Sequence, residues 1–471
     1  MFKKLMKSNI LLFKLILIIS LIISSYGFAE AQGIGNSVTF PSSDDTDGLY
    51  YAQTEDGVNI VLKRYRPFHT DNFNVGKTPI VLFNGITTCM KMWDIRTTAD
   101  TEQLYASFKL DKNKIAEWAI DDPYVQKDPM LYYSMAYYLY KFGYDVWLTN
   151  FRGTGVGNQR SELNKGGISL DEWIVYDTAA AIDKVIEITN KKPIIGGHST
   201  GGLVGYGYLQ GVYFDKTTGH VKNSTELAKE RNNKIAAYMP LDPAGIPPLP
   251  PFLNLTPAWM LMGSPLFIPL GDVLNTLVNV PGINYLITPN SPVIATAQNS
   301  IVTIFDLDQF TQGETLLQYT SFMNTKNINK YLMDYLLRHI ETGFPIRGYG
   351  QFYDFGMNNT IREFWKNGEE NKNKIQGPKP QENDGYYYYI DRMNLITVPT
   401  LTILSETQSA VSPDYSIRDI VLSKAHHVMD ETHIIPNSGH IDEYLGDVPP
   451  NSIYYIWRDW LNRMQEFGYL D

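Results

Sequence analysis

The chain has 471 residues, of which 44% are aliphatic, aromatic or sulfur-containing and 19% are charged, and its formal net charge is −10. This balance is typical of a folded globular protein and excludes a mainly disordered chain. Nucleic-acid binding would need clustered Lys and Arg, so the negative charge predicts no nucleic-acid partner. Cys89 is the only cysteine, and we therefore expect no intramolecular disulfide.

Residues 1–31 have the layout of a secretory signal peptide. Lysines lie among the first seven residues, an apolar run covers Leu11–Ile23, and Ala29-Glu30-Ala31 is a small-residue cleavage pattern. The run is interrupted at Lys14, and the remaining stretch of about a dozen residues is too short to span a bilayer. We expect a cleaved signal, a secreted or otherwise exported protein, and an exposed leader over residues 32–48.

After residue 49, strand and helix patterns alternate along the chain. This alternation predicts a mostly parallel sheet flanked by helices on both faces. The predicted strands cover 59–66, 79–83, 144–149, 193–197, 235–241, 398–404 and 433–436, and the predicted helices cover 132–141, 171–188, 202–210 and 452–467.

The alternation stops for about 150 residues in a Pro-rich and then mainly helical stretch. We therefore predict one core in two parts, 49–245 and 394–471. A large cap or lid, residues 246–393, is inserted between them, late in the sheet.

The segment Gly197-His198-Ser199-Thr200-Gly201 follows one predicted strand and leads into a helix. A Gly-x-Ser-x-Gly sequence in this context is typical of the sharp turn that exposes the nucleophilic serine of the α/β-hydrolase fold. It predicts that fold, with Ser199 as the nucleophile.

A serine hydroxyl needs a base, because it is a weak nucleophile at neutral pH. In this fold the histidine follows the last strand, which favours His440 in Gly439-His440-Ile441-Asp442. Two backbone amides should hold the developing oxyanion. We expect these from Thr200, directly after the serine, and from Ile86, in the turn after the strand at 79–83.

Several segments, taken in order, resemble the acid lipase family of gastric and lysosomal acid lipases within the α/β-hydrolases. They are Val81–Ile86, Gly143–Gly153, Asp171–Trp173, Tyr176–Asp177, the Ser199 turn, Gln351–Gly356 and Gly439–Asp442. The resemblance runs from about residue 49 to the C-terminus. It implies hydrolysis of neutral lipids or other esters under a cap formed by the insertion.

The sequence departs from this family at two places. Asn84-Gly85 stands where the family has His-Gly, and Gln408 stands where it has the acid of the triad. Asp242 is the favoured replacement, because Leu241-Asp242-Pro243-Ala244 resembles the acid-bearing turn of pancreatic-type lipases. Glu406 is the alternative acid. A third interpretation is that the site has no working acid.

Together these features predict a serine hydrolase that cleaves lipid or other hydrophobic esters through an acyl-enzyme. The apolar side chains expected over the site also suggest transient contact of the cap with a lipid surface; they are Trp259, Met260, Met262, Leu266, Phe267 and Ile268. The sequence has no glycine-rich phosphate loop, zinc-ligand spacing or dinucleotide fingerprint, so it implies no cofactor or metal. An inactive binding protein with the hydrolase fold, or an acyltransferase or peptidase with the same triad, remain as alternatives.

Overall fold

The computed structural model describes residues 48–66, 78–163, 168–246, 266–272, 324, 326–364, 384–406 and 423–470. The predicted signal and leader lie outside these ranges, as does much of the predicted insertion, including Trp259, Met260 and Met262. None of the helices within these ranges is long and apolar enough to cross a membrane.

The strands of the described ranges are β1 Leu49–Gln53, β2 Asn59–Tyr65, β3 Pro79–Phe83, β4 Asp145–Asn150, β5 Ile194–His198, β6 Val212–Phe214, β7 Val221–Asn223, β8 Ala237–Leu241, β9 Phe267–Ile268, β10 Phe344–Pro345, β11 Leu401–Ser405 and β12 Glu431–Ile435. Eight of them form the main sheet, in the order β1-β2-β4-β3-β5-β8-β11-β12. The six strands from β4 to β12 in this order pair in parallel, whereas β2 pairs antiparallel with both β1 and β4. Two short antiparallel pairs, β6 with β7 and β9 with β10, lie outside the main sheet.

The α-helices of the described ranges lie between and after these strands. They are α1 Glu102–Tyr105, α2 Pro123–Lys127, α3 Met135–Lys141, α4 Leu170–Glu172, α5 Thr178–Thr189, α6 Thr200–Leu209, α7 Thr225–Lys234, α8 Lys330–Tyr335, α9 Ile346–Asn358 and α10 Tyr454–Glu466. Three π-helical segments, Trp173–Asp177, Leu336–Ile340 and Pro449–Ile453, continue α4 into α5, extend α8 and precede α10.

The two faces of the sheet bury separate apolar cores. Successive side chains of a strand point to opposite faces, so Ile80 and Leu82 of β3 join one core while Val81 and Phe83 join the other. All five residues of β3 are buried, as expected for a central parallel strand covered on both sides. This double cover holds the carboxyl ends of β5, β8 and β11 at one edge of the sheet.

Buried polar contacts connect α9, within the predicted insertion, to the core. Gln351 Nε2 donates to Asp171 Oδ1 at 2.9 Å, and the backbone amide of Leu170 donates to Gln351 Oε1 at 2.9 Å. A second buried contact lies within the core, where the fully buried Arg152 and Asp177 form an ion pair at 2.7 Å. These five residues belong to segments that resemble the acid lipases or adjoin them, and their contacts give those segments a structural role.

Most predicted elements appear within a few residues of their expected bounds. The strand at 79–83 is found with those bounds, and the predicted helix at 171–188 corresponds to α4, a π-helical turn and α5. The sequence patterns missed β1, the β6–β7 hairpin and α7. The hairpin strands have three residues each, too few for an alternating pattern to be recognised.

Candidate active site

Ser199 occupies the sharp turn between β5 and α6. Its backbone has φ 55° and ψ −119°, a conformation that costs a non-glycine residue about 1–3 kcal/mol. The Ser199 amide donates to Leu241 O at 3.1 Å, and the Ala244 amide donates to Ser199 O at 2.8 Å. The end of β8 therefore holds the strained turn from both sides.

Three glycines around the turn are required by close backbone approach. A Cβ atom on Gly197 would lie 2.4 Å from the backbone of Gly201, and one on Gly201 would lie 2.2 Å from Phe83 O. A Cβ atom on Gly202 would lie 2.7 Å from Pro243 Cβ. The strand, turn and helix could not pack at these separations with any side chain at these positions.

Asp242 and His440 are joined by a hydrogen bond. Asp242 Oδ2 lies 2.5 Å from His440 Nδ1, and the two residues are 0% and 5% exposed. Asp242 follows β8 and His440 follows β12, so the bond links the ends of two strands that are not neighbours in the sheet. The favoured acid is thus in direct contact with the predicted base.

Ser405, the last residue of β11, fixes the carboxylate of Asp242. Its hydroxyl donates to Asp242 Oδ2 at 2.9 Å, and its amide donates to Asp242 Oδ1 at 3.3 Å. The Asp242 amide donates to Ile403 O at 2.7 Å, with φ of Asp242 at 41°. Ser405 was not singled out from the sequence, because its role depends on the pairing of β11 with β8.

Glu406, the alternative acid, points elsewhere. Its side chain is exposed, and its Oε2 atom accepts a hydrogen bond from the Asn437 amide at 2.6 Å. Gln408, at the family's usual acid position, lies outside the described residues. The contacts of the described residues therefore favour Asp242 over Glu406.

The loop that carries His440 is held by two further side chains. His198 Nε2 lies 2.8 Å from His440 O, and because a carbonyl only accepts, His198 donates there. Burial and the neighbouring His440 ring hold the pKa of His198 well below its usual range. Asp442 Oδ2 accepts from the Gly439 amide at 3.0 Å. His198 and Asp442 therefore support the loop, and neither is the acid bonded to the His440 ring.

The two amides predicted to bind the oxyanion belong to residues next to the Ser199 turn or to the turn that contacts it. Thr200 is the first residue of α6, where a backbone amide has no intrahelical acceptor. Ile86 is half-buried in the turn after β3, and a Cβ atom on its neighbour Gly85 would lie 3.6 Å from Ser199 Cβ. This spacing brings the turn after β3 against the serine.

Cys89 is buried and its thiol stays protonated, so it does not offer a second nucleophile. Burial raises the pKa of the Cys89 thiol to about 12, and Sγ lies 3.2 Å from His339 O. Among the residues that the structure describes, no group of three or more His, Cys, Asp or Glu side chains is arranged to hold a metal ion.

The sheet order and the serine turn define the chain as a protein with the α/β-hydrolase fold. A family model described as the alpha/beta hydrolase fold matches residues 127–211, which include β4, β5 and the Ser199 turn. The predicted fold is therefore confirmed.

The predicted resemblance to acid lipases is also confirmed, since the chain is similar to proteins named as lipases. It is 24% identical to human Lipase member K over 350 residues, which cover 71% of this chain and 74% of that one. It is 34% identical to Lipase lipl-3 of Caenorhabditis elegans over 82 residues, covering 16% and 20% of the two chains. A solved thermophilic esterase from Thermogutta terrifontis has 13% identity, a TM-score of 0.37 and coverage of 88% of this chain and 98% of that one.

Proposed function

We propose that this protein is a serine hydrolase that cleaves carboxylic esters with hydrophobic acyl groups. The observation that carries the proposal is the 2.5 Å hydrogen bond between Asp242 and His440 beside the strained Ser199 turn. A buried carboxylate on one nitrogen of a histidine fixes the tautomer and stabilises the imidazolium that forms during acyl transfer.

In the proposed reaction, Ser199 Oγ attacks the ester carbonyl carbon while His440 Nε2 takes the hydroxyl proton. The bond to Asp242 uses Nδ1, which assigns proton transfer to Nε2. The Ile86 and Thr200 amides stabilise the negative oxygen of the tetrahedral intermediate. His440 then gives the proton to the leaving alcohol, and the acyl group remains on Ser199. A water molecule, activated by His440, releases the acid and restores the serine.

A hydrophobic ester suits the side chains next to the turn after β3. A Cβ atom on Gly348 would lie 3.1 Å from Ile86 Cδ1 and 3.3 Å from Leu170 Cδ2. Gly348 of α9 therefore packs against these apolar groups. We propose that residues 246–393 form the cap over the core of 49–245 and 394–471. We also propose that this cap makes transient contact with lipid surfaces, as the similarity to proteins named as lipases suggests.

We further propose export, directed by a signal peptide over residues 1–31 and followed by the leader at 32–48. The composition of these residues supports this proposal. Expression in a secreting host, followed by N-terminal sequencing of the protein in the medium, would test it. The expected N-terminus is near Gln32, and an intact N-terminus on exported protein would contradict the proposed cleavage.

The test of the activity is hydrolysis of nitrophenyl acetate, butyrate, octanoate and palmitate by wild type and by Ser199→Ala. We expect a higher kcat/KM for the longer esters than for acetate. Loss of the nucleophile should lower kcat by about four to six orders of magnitude. Ser107→Ala is the matched control, because Ser107 is exposed and bonds only to Tyr331 among the contacts that the structure gives it.

The alternatives give different results in the same assay. A folded wild-type protein that hydrolyses none of the esters would favour the inactive binding protein. Preference for acetate over all longer esters would argue against a lipase-like enzyme. Equal rates for wild type and Ser199→Ala would exclude Ser199 as the nucleophile.

A further inference from the structure

Glu341 brings a carboxyl group to the turn that carries Ile86. We propose that Glu341 is a specificity-determining residue that binds a free hydroxyl group of the ester substrate. This inference rests on the proposed function, because it assigns a substrate feature to the same site. The substrate class is an ester that carries a hydroxyl besides the ester group, as a partial ester of a polyol does.

The backbone around Glu341 is paired with the turn after β3. The Cys89 amide donates to Ile340 O at 3.0 Å, and the Thr342 amide donates to Thr87 O at 2.7 Å, with Thr88 and Glu341 facing each other in an antiparallel bridge. The Thr87 side chain also hydrogen-bonds to the Glu341 carboxyl. Glu341 is therefore fixed to the residue that follows Ile86, the proposed oxyanion donor.

Glu341 and its neighbour Tyr349 both keep part of their surface accessible. Tyr349 is 37% exposed, and burial of its phenol raises its pKa well above the usual range. Glu341 is also only half-buried, and it interacts electrostatically with Tyr349 from α9 and with Tyr444 from the His440 loop.

Several of the described side chains near Glu341 and Tyr349 are apolar. The rings of Phe344 and Tyr349 lie 4.7 Å apart in an edge-to-face arrangement, and Ile86 packs beside Gly348. The ring of Phe267 lies so close to Gly343 that a Cβ atom there would be 2.1 Å from Phe267 Cε1. A partly accessible carboxyl beside apolar groups favours a ligand that is mostly apolar and has one polar group at the matching position.

The chemistry of the carboxyl selects a hydroxyl. Burial raises the pKa of Glu341 to about 7, although the Thr87 hydrogen bond acts in the opposite direction. Below that pH the neutral carboxyl donates one hydrogen bond and accepts others, which matches the single donor and the acceptor lone pairs of a hydroxyl. A substrate without the hydroxyl would leave the carboxyl without this partner, which costs binding energy.

The test compares kcat/KM for glycerol monooctanoate and methyl octanoate, which share an acyl chain and differ in the free hydroxyls. For Glu341→Leu, the ratio of the two values should fall about ten-fold, with methyl octanoate changed little. Glu341→Gln keeps a donor and an acceptor, so its ratio should stay within roughly three-fold of wild type. Thr87→Val removes the support of the carboxyl and should lower the ratio in the same direction, which keeps the test valid if Glu341→Leu does not fold.

A second pair of substrates identifies which part of the ester carries the hydroxyl. The methyl ester of a terminally hydroxylated decanoic acid is compared with methyl decanoate. A Glu341→Leu effect on the glycerol pair alone assigns the hydroxyl to the alcohol, and an effect on the decanoate pair alone assigns it to the acyl chain.

The inference is overturned if neither ratio changes, or if folded variants lose activity equally on all four esters, which would indicate a structural role. A folded wild-type protein that hydrolyses none of the four esters would instead contradict the proposed function. These two failures are distinct, since hydrolysis of the methyl esters by wild type supports the function whatever the ratios are.

Discussion

Asp242 Oδ2 and His440 Nδ1 lie 2.5 Å apart, although 198 positions separate the two residues in the chain. The bond forms because Asp242 leaves the end of β8 and the loop after β12 returns over the intervening strand β11. That strand supplies Ser405, whose hydroxyl donates to the same carboxylate oxygen. The carboxylate of the proposed acid is therefore held by the hydroxyl and the amide of Ser405 and by the histidine that it orients.

Asp242→Asn should lower kcat by about four orders of magnitude, because an amide cannot stabilise the imidazolium and favours the wrong tautomer. Glu406→Gln is the matched control, since Glu406 is exposed and accepts from the Asn437 amide. We expect its kcat to stay near that of wild type. Hydrolysis of nitrophenyl octanoate measures both. Normal activity in Asp242→Asn with a large loss in Glu406→Gln would reverse the assignment of the acid.

Ser405→Ala removes the hydroxyl that donates to Asp242 and leaves the backbone donor of the same residue in place. A hydrogen bond to a charged group contributes about 1.5–3 kcal/mol. Because Ser405 acts through Asp242 and His440, we expect a fall in kcat with little change in KM, and a smaller loss than in Asp242→Asn. Steady-state kinetics measure both constants. A rise in KM at unchanged kcat would indicate that Ser405 contributes to substrate binding instead.

Gly201→Ala should prevent the serine turn from forming, because the added Cβ would lie 2.2 Å from Phe83 O. Gly85→Ala is the control in the same region, since its Cβ would meet neighbours only at 3.4 Å and beyond. We expect soluble, folded Gly85→Ala protein and little or no folded, active Gly201→Ala protein. Circular dichroism and the ester assay report the two properties. Wild-type activity in Gly201→Ala would show that the Ser199 turn relaxes more readily than its backbone contacts imply.

The buried carboxyl of Glu443 should make the free energy of unfolding fall as the pH rises. It is fully buried, neither carboxyl oxygen has a hydrogen-bond partner among the described residues, and burial, with Asp242 and Asp442 nearby, raises its pKa well above the usual range. In the unfolded chain the carboxyl group of a glutamate has a pKa of about 4.3. Above that pH the folded state retains a proton that the unfolded state loses, so the free energy of unfolding falls with rising pH.

Glu443→Gln cannot ionise, so its gain in Tm over wild type should grow as the pH rises above that of the unfolded glutamate. Thermal unfolding of both proteins over a series of pH values measures the difference. Glu466→Gln, at an exposed position at the end of α10, should show no such growth. A constant Tm difference for Glu443→Gln at every pH would contradict a buried, protonated Glu443.

The sequence predicted the parts of the site that depend on local pattern. The strand–turn–helix around Ser199 and the position of His440 after the last strand are such patterns, and the structure has both elements. The sequence favoured Asp242 over Glu406 only through the resemblance to the acid-bearing turn of pancreatic-type lipases, because each residue follows a strand. Which of them reaches the histidine depends on the orientation of two loops across the sheet, where Asp242 turns toward His440 and Glu406 turns toward Asn437.

Other features depend on contacts between distant segments and have no sequence signal. Ser405 contacts Asp242 only because β11 lies beside β8. Glu341 reaches the turn that carries Ile86 only because the segment before β10 pairs with residues 87–89. A lone Ser or Glu in such segments looks like any other polar residue until the strands are assembled.

The most direct test of the proposed triad is covalent labelling of the wild-type protein by a fluorophosphonate, followed by peptide mapping. We expect one adduct, on Ser199, with no labelling of Ser199→Ala and much slower labelling of Asp242→Asn. A folded wild-type protein that takes no label, or that takes it on another serine, would contradict the assignment of Ser199, His440 and Asp242 as a catalytic triad.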